Sequence, residues 1–319
     1  MAGFTTSAPP HVIRSNIWSS QLKDVLEEDL FATRWVRNLD GFPDGDTFNI
    51  PSIGAMEVDD YVEDTPVRYR AFNTGNFTFT ITEYKSSATY ITEKERQDSY
   101  VAPQIEASFV PKQHRAIMER YETDILNLAM SQTLSNPNQI NSADHRWVAS
   151  GTNETVSIQD FAKASYSLKK AMVPATNLVA IVDPSVEYTL NTLTNLVNVS
   201  NNPQWEGIIA KGIASGMRFV RNIYGFDVYT SQFLPDANET ITGSTGGART
   251  TAAGKANIFF SAAGGDIMPF ISAWRQMPKV DSEYNKDFQR EEYVTTCRYG
   301  KALYRPENLV VVLSDTDQV

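Results

Sequence analysis

The chain has a single cysteine, Cys297, among 319 residues. A lone thiol excludes an intrachain disulfide framework and a thiolate metal cage. Histidine is nearly as scarce. His11, His114 and His145 stand apart from one another, and none falls in a ligand spacing such as H-x-x-x-H. No G-x-S-x-G elbow occurs. No apolar run approaches the roughly 20 residues of a membrane helix, so no membrane partner is expected. Positive charge is in deficit: Lys+Arg 28 against Asp+Glu 38 gives a formal net charge of −10 and a pI near 4.9. That balance argues against a surface that grips phosphates throughout, and no Lys/Arg run marks a local strip. Residues 1–10 are small and polar, without the apolar segment of an export signal, so synthesis in the cytoplasm is expected.

What remains is an ordinary globular balance, 41% hydrophobic and 21% charged, with length enough for two domains. Residues 1–15, with Pro9-Pro10, read as a loose arm. Ser19-Ser20 can cap a helix over 21–31, where Leu22, Val25, Leu26 and Leu30 share a face. A Pro43-Asp44 turn leads into a long hairpin. Phe48-Asn49-Ile50 and Phe77-Thr78-Phe79-Thr80-Ile81-Thr82 alternate with period two, which gives strands with one apolar face. The intervening 56–76 is too charged for a core, so the hairpin should project and lie on another subunit.

Thr92-Glu93-Lys94-Glu95 is a capping box for a short helix to about residue 100. Pro111 suits the first turn of a longer helix over 111–134, with Ile117, Tyr121, Ile125, Leu128 and Ala129 on one face and an exposed Arg115–Glu119 pair; Asn136-Pro137 ends it. Residues 138–151 read as a polar surface loop. Beyond them the pattern predicts a helix from Ser157 to 172, an apolar strand over 177–182 and a helix from Pro184 to 197. A glycine-punctuated stretch at 205–216 follows, then a hairpin over 219–230 turning at Tyr224-Gly225 and a mobile Gly/Thr/Ala loop over 235–255. Strands at 258–260, 270–274, 294–304 and 309–313 close the chain.

No acid, base and nucleophile converge, so the reading is not an enzyme, with no cofactor and no metal. Cys297, inside a strand-like run, reads as a small buried thiol. Each histidine reads as a surface or interface residue. Gly254-Lys255 imitates a phosphate loop, but the first glycine is misplaced and Ala256 stands where a magnesium-holding hydroxyl belongs. Glu57, Asp59, Asp60, Glu63 and Asp64 lack the glycine turn and closing glutamate of a calcium loop. They read as a solvated face or as partners for a neighbouring chain. The candidate inter-subunit contacts are therefore Asp59, Asp60, Glu63 and Asp64, facing Arg68, Arg70 or Arg37 of another copy. Trp18, Trp35, Trp147, Trp205 and Trp274 are scattered and read as core or interface anchors.

Taken in order, these segments resemble the major capsid proteins of tailed double-stranded DNA bacteriophages. The resemblance is carried by Thr92 to Ser99 before the long helix, by Leu178-Val179-Ala180-Ile181-Val182-Asp183-Pro184, by Gly225 to Ser231 with Leu234-Pro235, and by Arg298 to Glu307 running into Asn308-Leu309-Val310-Val311-Val312. It implies an α+β chain with the Hong Kong 97-type capsid fold. The implied parts are an N-terminal arm (1–40), an extended hairpin loop (41–90), a peripheral domain with a spine helix (91–150), an axial domain (151–292) and C-terminal strands returning to the peripheral domain (293–319). The function it implies is that of a virion shell subunit, self-assembling into hexamers and pentamers around packaged double-stranded DNA without gripping it. Portal and decoration proteins are further implied partners. No charged helical extension precedes the arm, so a separate scaffold protein is expected. No asparagine partner for a covalent cross-link from Lys85 can be named. The alternatives are a compartment shell protein of the encapsulin kind and, more distantly, a metal-dependent hydrolase using the acidic hairpin.

Overall fold

A computed structural model of the protein describes residues 30, 32–39, 47–54, 56–71, 74–99, 102–131, 138–192, 219–243, 247–250 and 254–315. The expected helix over 21–31, the turn at 41–45, the stretch 205–216, and His11, Trp18, Trp205 and Pro137 lie outside the described residues, apart from residue 30.

The elements in chain order are β1 (Val36–Leu39), β2 (Thr47–Ile53), β3 (Thr74–Thr80), β4 (Glu83–Thr92), α1 (Glu93–Asp98), α2 (Ala102–Leu126), β5 (Gln139–Ile140), β6 (Ala143–Asp144), β7 (Arg146–Val148), α3 (Ile158–Lys170), β8 (Leu178–Val182), α4 (Pro184–Thr192), β9 (Phe219–Ile223), β10 (Phe226–Thr230), β11 (Asp236–Ala237), β12 (Thr240–Gly243), β13 (Gly247–Thr250), β14 (Gly254–Ser261), β15 (Phe270–Asn285), β16 (Arg290–Leu303) and β17 (Val310–Asp315). Two sheets organise them. One runs β7-β17-β14-β8-β10-β9, with β11 also on β14; the other runs β1-β15-β16-β4.

The first sheet explains its own sequence. All five residues of β8 are buried, and they alternate between two cores: Leu178, Ala180 and Val182 on one face, Val179 and Ile181 on the other. A strand covered on both faces reads as a continuous apolar run. β17 divides likewise, with Val310 and Val312 on one side and Val311 and Leu313 on the other. The face shared with α3 is filled by Phe161, Phe226 and Phe259, whose rings meet edge to face at 5.2–6.3 Å. The opposite core continues into the second sheet through Phe270, Cys297 and Tyr299, so the two sheets share one apolar interior.

Several expectations hold. Thr92 caps α1, its hydroxyl accepting from the Glu95 amide. Ser157 and Asp160 form a capping box on α3. β9 and β10 turn at Tyr224-Gly225, both with positive φ, as a two-residue hairpin turn requires. Cys297 is buried, and that burial pushes its thiol pKa up.

Others need correction. The long helix begins at Ala102, so Pro111 sits inside it and Pro103 occupies the first turn. An interior proline costs about 3 kcal/mol, and contacts with β16 offset it. The Tyr293 hydroxyl donates to Glu106, Phe109 packs edge-on against Tyr293 at 5.8 Å, and Gln113 bonds Thr295 and the Tyr293 carbonyl. The helix stops at Leu126, followed by a 3-10 turn over Asn127–Ser131. Arg115 and Glu119 do pair, at 2.8 Å, but half-buried rather than exposed.

Residues 138–151 are not a surface loop but three short strands with a buried polar set. Arg146 donates to the Ala129 carbonyl and pairs with Glu239, and Trp147 donates to Asp160. His145 is fully buried, against the surface or interface reading, while His114 is exposed. The stretch 235–255 contains β11, the β12–β13 hairpin and the start of β14. β15 lies between β1 and β16 in the second sheet, whereas β7 and β17 belong to the first.

Candidate functional site: a projecting hairpin and the sheet beneath it

β2 and β3 pair in antiparallel register, Phe48 opposite Phe79 and Ile50 opposite Phe77. One face of the ribbon is therefore apolar. The other is polar, with Asn49 accepting from Asn76 and Thr78. The apolar face is seated only at its root. Phe79 and Ile81 pack on Ile271 and Ala273, and Phe77 meets the Tyr304 ring at 5.2 Å. A β-carbon on Gly300 would stand 2.9 Å from Phe79 Cζ and 3.0 Å from Ile81 Cα, so glycine is what lets the root lie flat on β16.

Every described residue from 51 to 76 is exposed. A two-stranded ribbon alone is marginal in water, and this one carries large apolar side chains into solvent. Val58 and Tyr69 are each 95% exposed, and Met56, Tyr61, Val62 and Val67 are exposed beside them. The sequence reading had marked only the charges here. The signal it passed over was the interleaving of aliphatic and aromatic residues between them, which a solvated face does not need.

The predicted contact residues divide into three groups. Arg70 forks onto Asp59 and also pairs with Glu57 of its own chain, fixing the two sides of the tip. Asp60, Glu63 and Asp64 have no ion pair among the described residues, and Asp64 takes a positive φ in a turn closed by the Thr65 amide on the Val62 carbonyl. Arg68 is exposed. Arg37 is not beside them: it pairs with Asp266 at 2.8 Å and lies over the Tyr304 ring.

Beneath the hairpin the second sheet has two unlike faces. α2 covers one. There Tyr121 packs on Trp274 and Tyr299, its hydroxyl within 2.6 Å of Ser272, and the Tyr299 hydroxyl donates to Asp124 at 2.7 Å. Burial works to raise the Asp124 pKa, but the hydrogen bonds from Tyr299 and Lys301 and the charges of Lys301 and Arg120 outweigh it, so the carboxyl is held below its ordinary value. Burial, then the bond to Asp124, pushes Tyr299 up. This cluster ties helix to sheet; nothing in it is arranged as a nucleophile with its base. Among the described residues no group of three His, Cys, Asp or Glu is placed to hold a metal ion, and no helix is long and apolar enough to cross a membrane.

The chain belongs to the phage capsid protein family, whose match spans residues 76–312. Solved structures agree on the fold. A chain of Mycobacterium phage Che8 superposes with a TM-score of 0.68 at 16% identity, covering 95% of this chain and 97% of that one. The mature capsid of bacteriophage PhiM1 gives 0.69 at 11%, covering 96% and 93%. The capsid of cyanophage Pam1 gives 0.67 at 13%, covering 98% and 99%. No individual curated protein matches the chain. The fold is α+β and of the Hong Kong 97 capsid type, and the protein is a structural shell subunit; the compartment-shell alternative is not favoured.

Proposed function

We propose that this subunit builds an icosahedral virion shell of hexamers and pentamers around packaged double-stranded DNA, with its hairpin and N-terminal arm laid across neighbouring copies. The observation that carries this reading is the hairpin itself: every described residue of 51–76 is exposed, and seven large apolar side chains there face water. Such a surface is stable when a sister copy covers it, and many modest contacts around a closed shell reinforce one another. In this reading the α2-covered sheet is the peripheral part and the sheet of β7-β17-β14-β8-β10-β9 the axial part. The net charge of −10 suits a wall that encloses DNA without holding it. A separate scaffold protein, a portal and a decoration protein are the partners this assembly calls for, with synthesis in the host cytoplasm.

The test replaces 56–71 by a Gly/Ser linker. The variant subunit should melt as the wild type does and form no shells when co-expressed with its scaffold, as seen by electron microscopy. Shells in undiminished number would overturn the reading.

A further inference from the structure

β15 runs from Phe270 to Asn285, but β1 lies beside it only from Phe270 to Ala273. β16 holds its other side, with two irregularities, out to the pair Asn285–Arg290. Beyond Ala273, one side of β15 is therefore an open sheet edge with no strand beside it among the described residues. Two features suit an edge. Pro278, which has no amide to donate, falls in the second irregularity, between Gln276 and Lys279. Residues 279–284 are all exposed. An edge of this length is a template for a further strand. Register sets its faces. Val280 stands opposite Thr295, whose hydroxyl donates to Gln113 of α2, so Val280 lies on the α2 side. Lys279 and Asp281, one position to either side, lie on the opposite face, where they pair at 2.8 Å and both stay exposed.

Resting on the reading that copies of this chain assemble into a shell, we propose that the open edge of β15 pairs antiparallel with the same edge of a second copy, about a two-fold axis at Val280. The sequence around that axis is its own complement. Lys279 of each copy stands opposite Asp281 of the other, and Val280 stands opposite its counterpart. Opposite charges directly across an antiparallel pair stabilise it, and like charges destabilise it. Moving the axis to Asp281 would set two carboxylates face to face, so the charges select one register. The Lys279–Asp281 pair within one chain is exposed and worth little; across the axis it is replaced by two such pairs. Length agrees with charge. An axis at Val280 pairs Arg275 with Asn285, which fills the stretch that β1 leaves free and ends where β15 ends. Symmetry agrees too. The two-fold axis of an antiparallel pair stands normal to the sheet, so both copies keep α2 on the same side, as a shell with an inside and an outside requires.

The test places one cysteine on the axis. With Val280→Cys, oxidised shells should run on a non-reducing gel as linked pairs and nothing larger, because a contact on a two-fold axis joins each chain to one other. Tyr284→Cys, which the register holds about 27 Å from its counterpart, should give no pairs, and neither should the wild type, whose Cys297 is buried. The charges supply a second arm. Lys279→Glu should lower shell yield on the order of tenfold, since the contact repeats around the shell, while the subunit's melting temperature stays put. Asp281→Lys should do the same. Mixing the two reversed subunits, each with Val280→Cys and one with a size tag, should recover assembly and give mixed pairs well above random. A charge pair confined to one chain cannot produce that bias. Shells without linked pairs would give the edge to another strand and overturn the pairing. Pairs as plentiful from Tyr284→Cys, or wild-type yield from both single reversals, would overturn it as well, and each of these results leaves the shell reading intact. The Gly/Ser hairpin variant separates the two levels: if it assembles normally, the shell reading is what fails.

Discussion

Phe79 and Tyr69 belong to the same arm and live in opposite surroundings: Phe79 is 1% exposed at the root, Tyr69 95% exposed near the tip. The body completes itself. Its strands β8 and β17 are covered on both faces, its buried polar side chains are bonded with few exceptions among the described residues, and α1 and α3 are capped. The arm beyond its root leaves its large apolar side chains exposed. A domain that leaves one segment apolar and unsupported has placed part of its stability in the assembly, so substitutions in the two regions should separate folding from association.

The largest expected effect lies in the body. Phe259→Ala removes a fully buried ring from the three-phenylalanine cluster and should cost about 3–5 kcal/mol, read by denaturant unfolding of the subunit. Next is the hinge between the regions. Gly300→Ala forces a β-carbon against Phe79 and the backbone of Ile81 and should cost about 1–3 kcal/mol, lowering the melting temperature and loosening the arm. A smaller effect depends on pH. Burial holds the His145 pKa below its ordinary 6.5, only partly offset by the Ala143 and Glu307 carbonyls and the Asp144 charge, and its Nε2 makes no hydrogen bond. The unfolded chain therefore takes up this proton more readily than the folded one. The stability from neutral His145 is full above pH 6.5 and falls as pH drops below it toward the folded value. His145→Gln should flatten the slope of melting temperature between pH 5 and 7; an unchanged slope would place it elsewhere. Smallest of all, Tyr69→Ser should leave subunit stability within about 0.5 kcal/mol and yet reduce shell yield, which reverses the pattern of Phe259→Ala.

Much of this was legible because burial leaves a period. The alternation of Phe77 and Phe79 gave the hairpin, and the unbroken run Leu178–Val182 gave a strand covered on both faces. What was not legible depended on partners far away in the chain. Pro111 reads as a helix start until Glu106, Phe109 and Gln113 are seen resting on residues near 293–295. Residues 138–151 read as a polar loop until Arg146 is found bonding the Ala129 carbonyl and Trp147 bonding Asp160. β15 was foreseen only to Trp274, because its continuation is a bulged strand with an exposed face and no apolar period. The pairing of Tyr84 with Arg298 was hidden for the same reason, since only strand register makes them neighbours.

Amide hydrogen exchange on free subunits and on assembled shells tests the central claim most directly. The account predicts that amides in 51–76 exchange at nearly unprotected rates in the subunit and become strongly protected in the shell, while β8, β14 and β17 are protected in both. Protection of 51–76 already present in the free subunit, or absent from the shell, would contradict it.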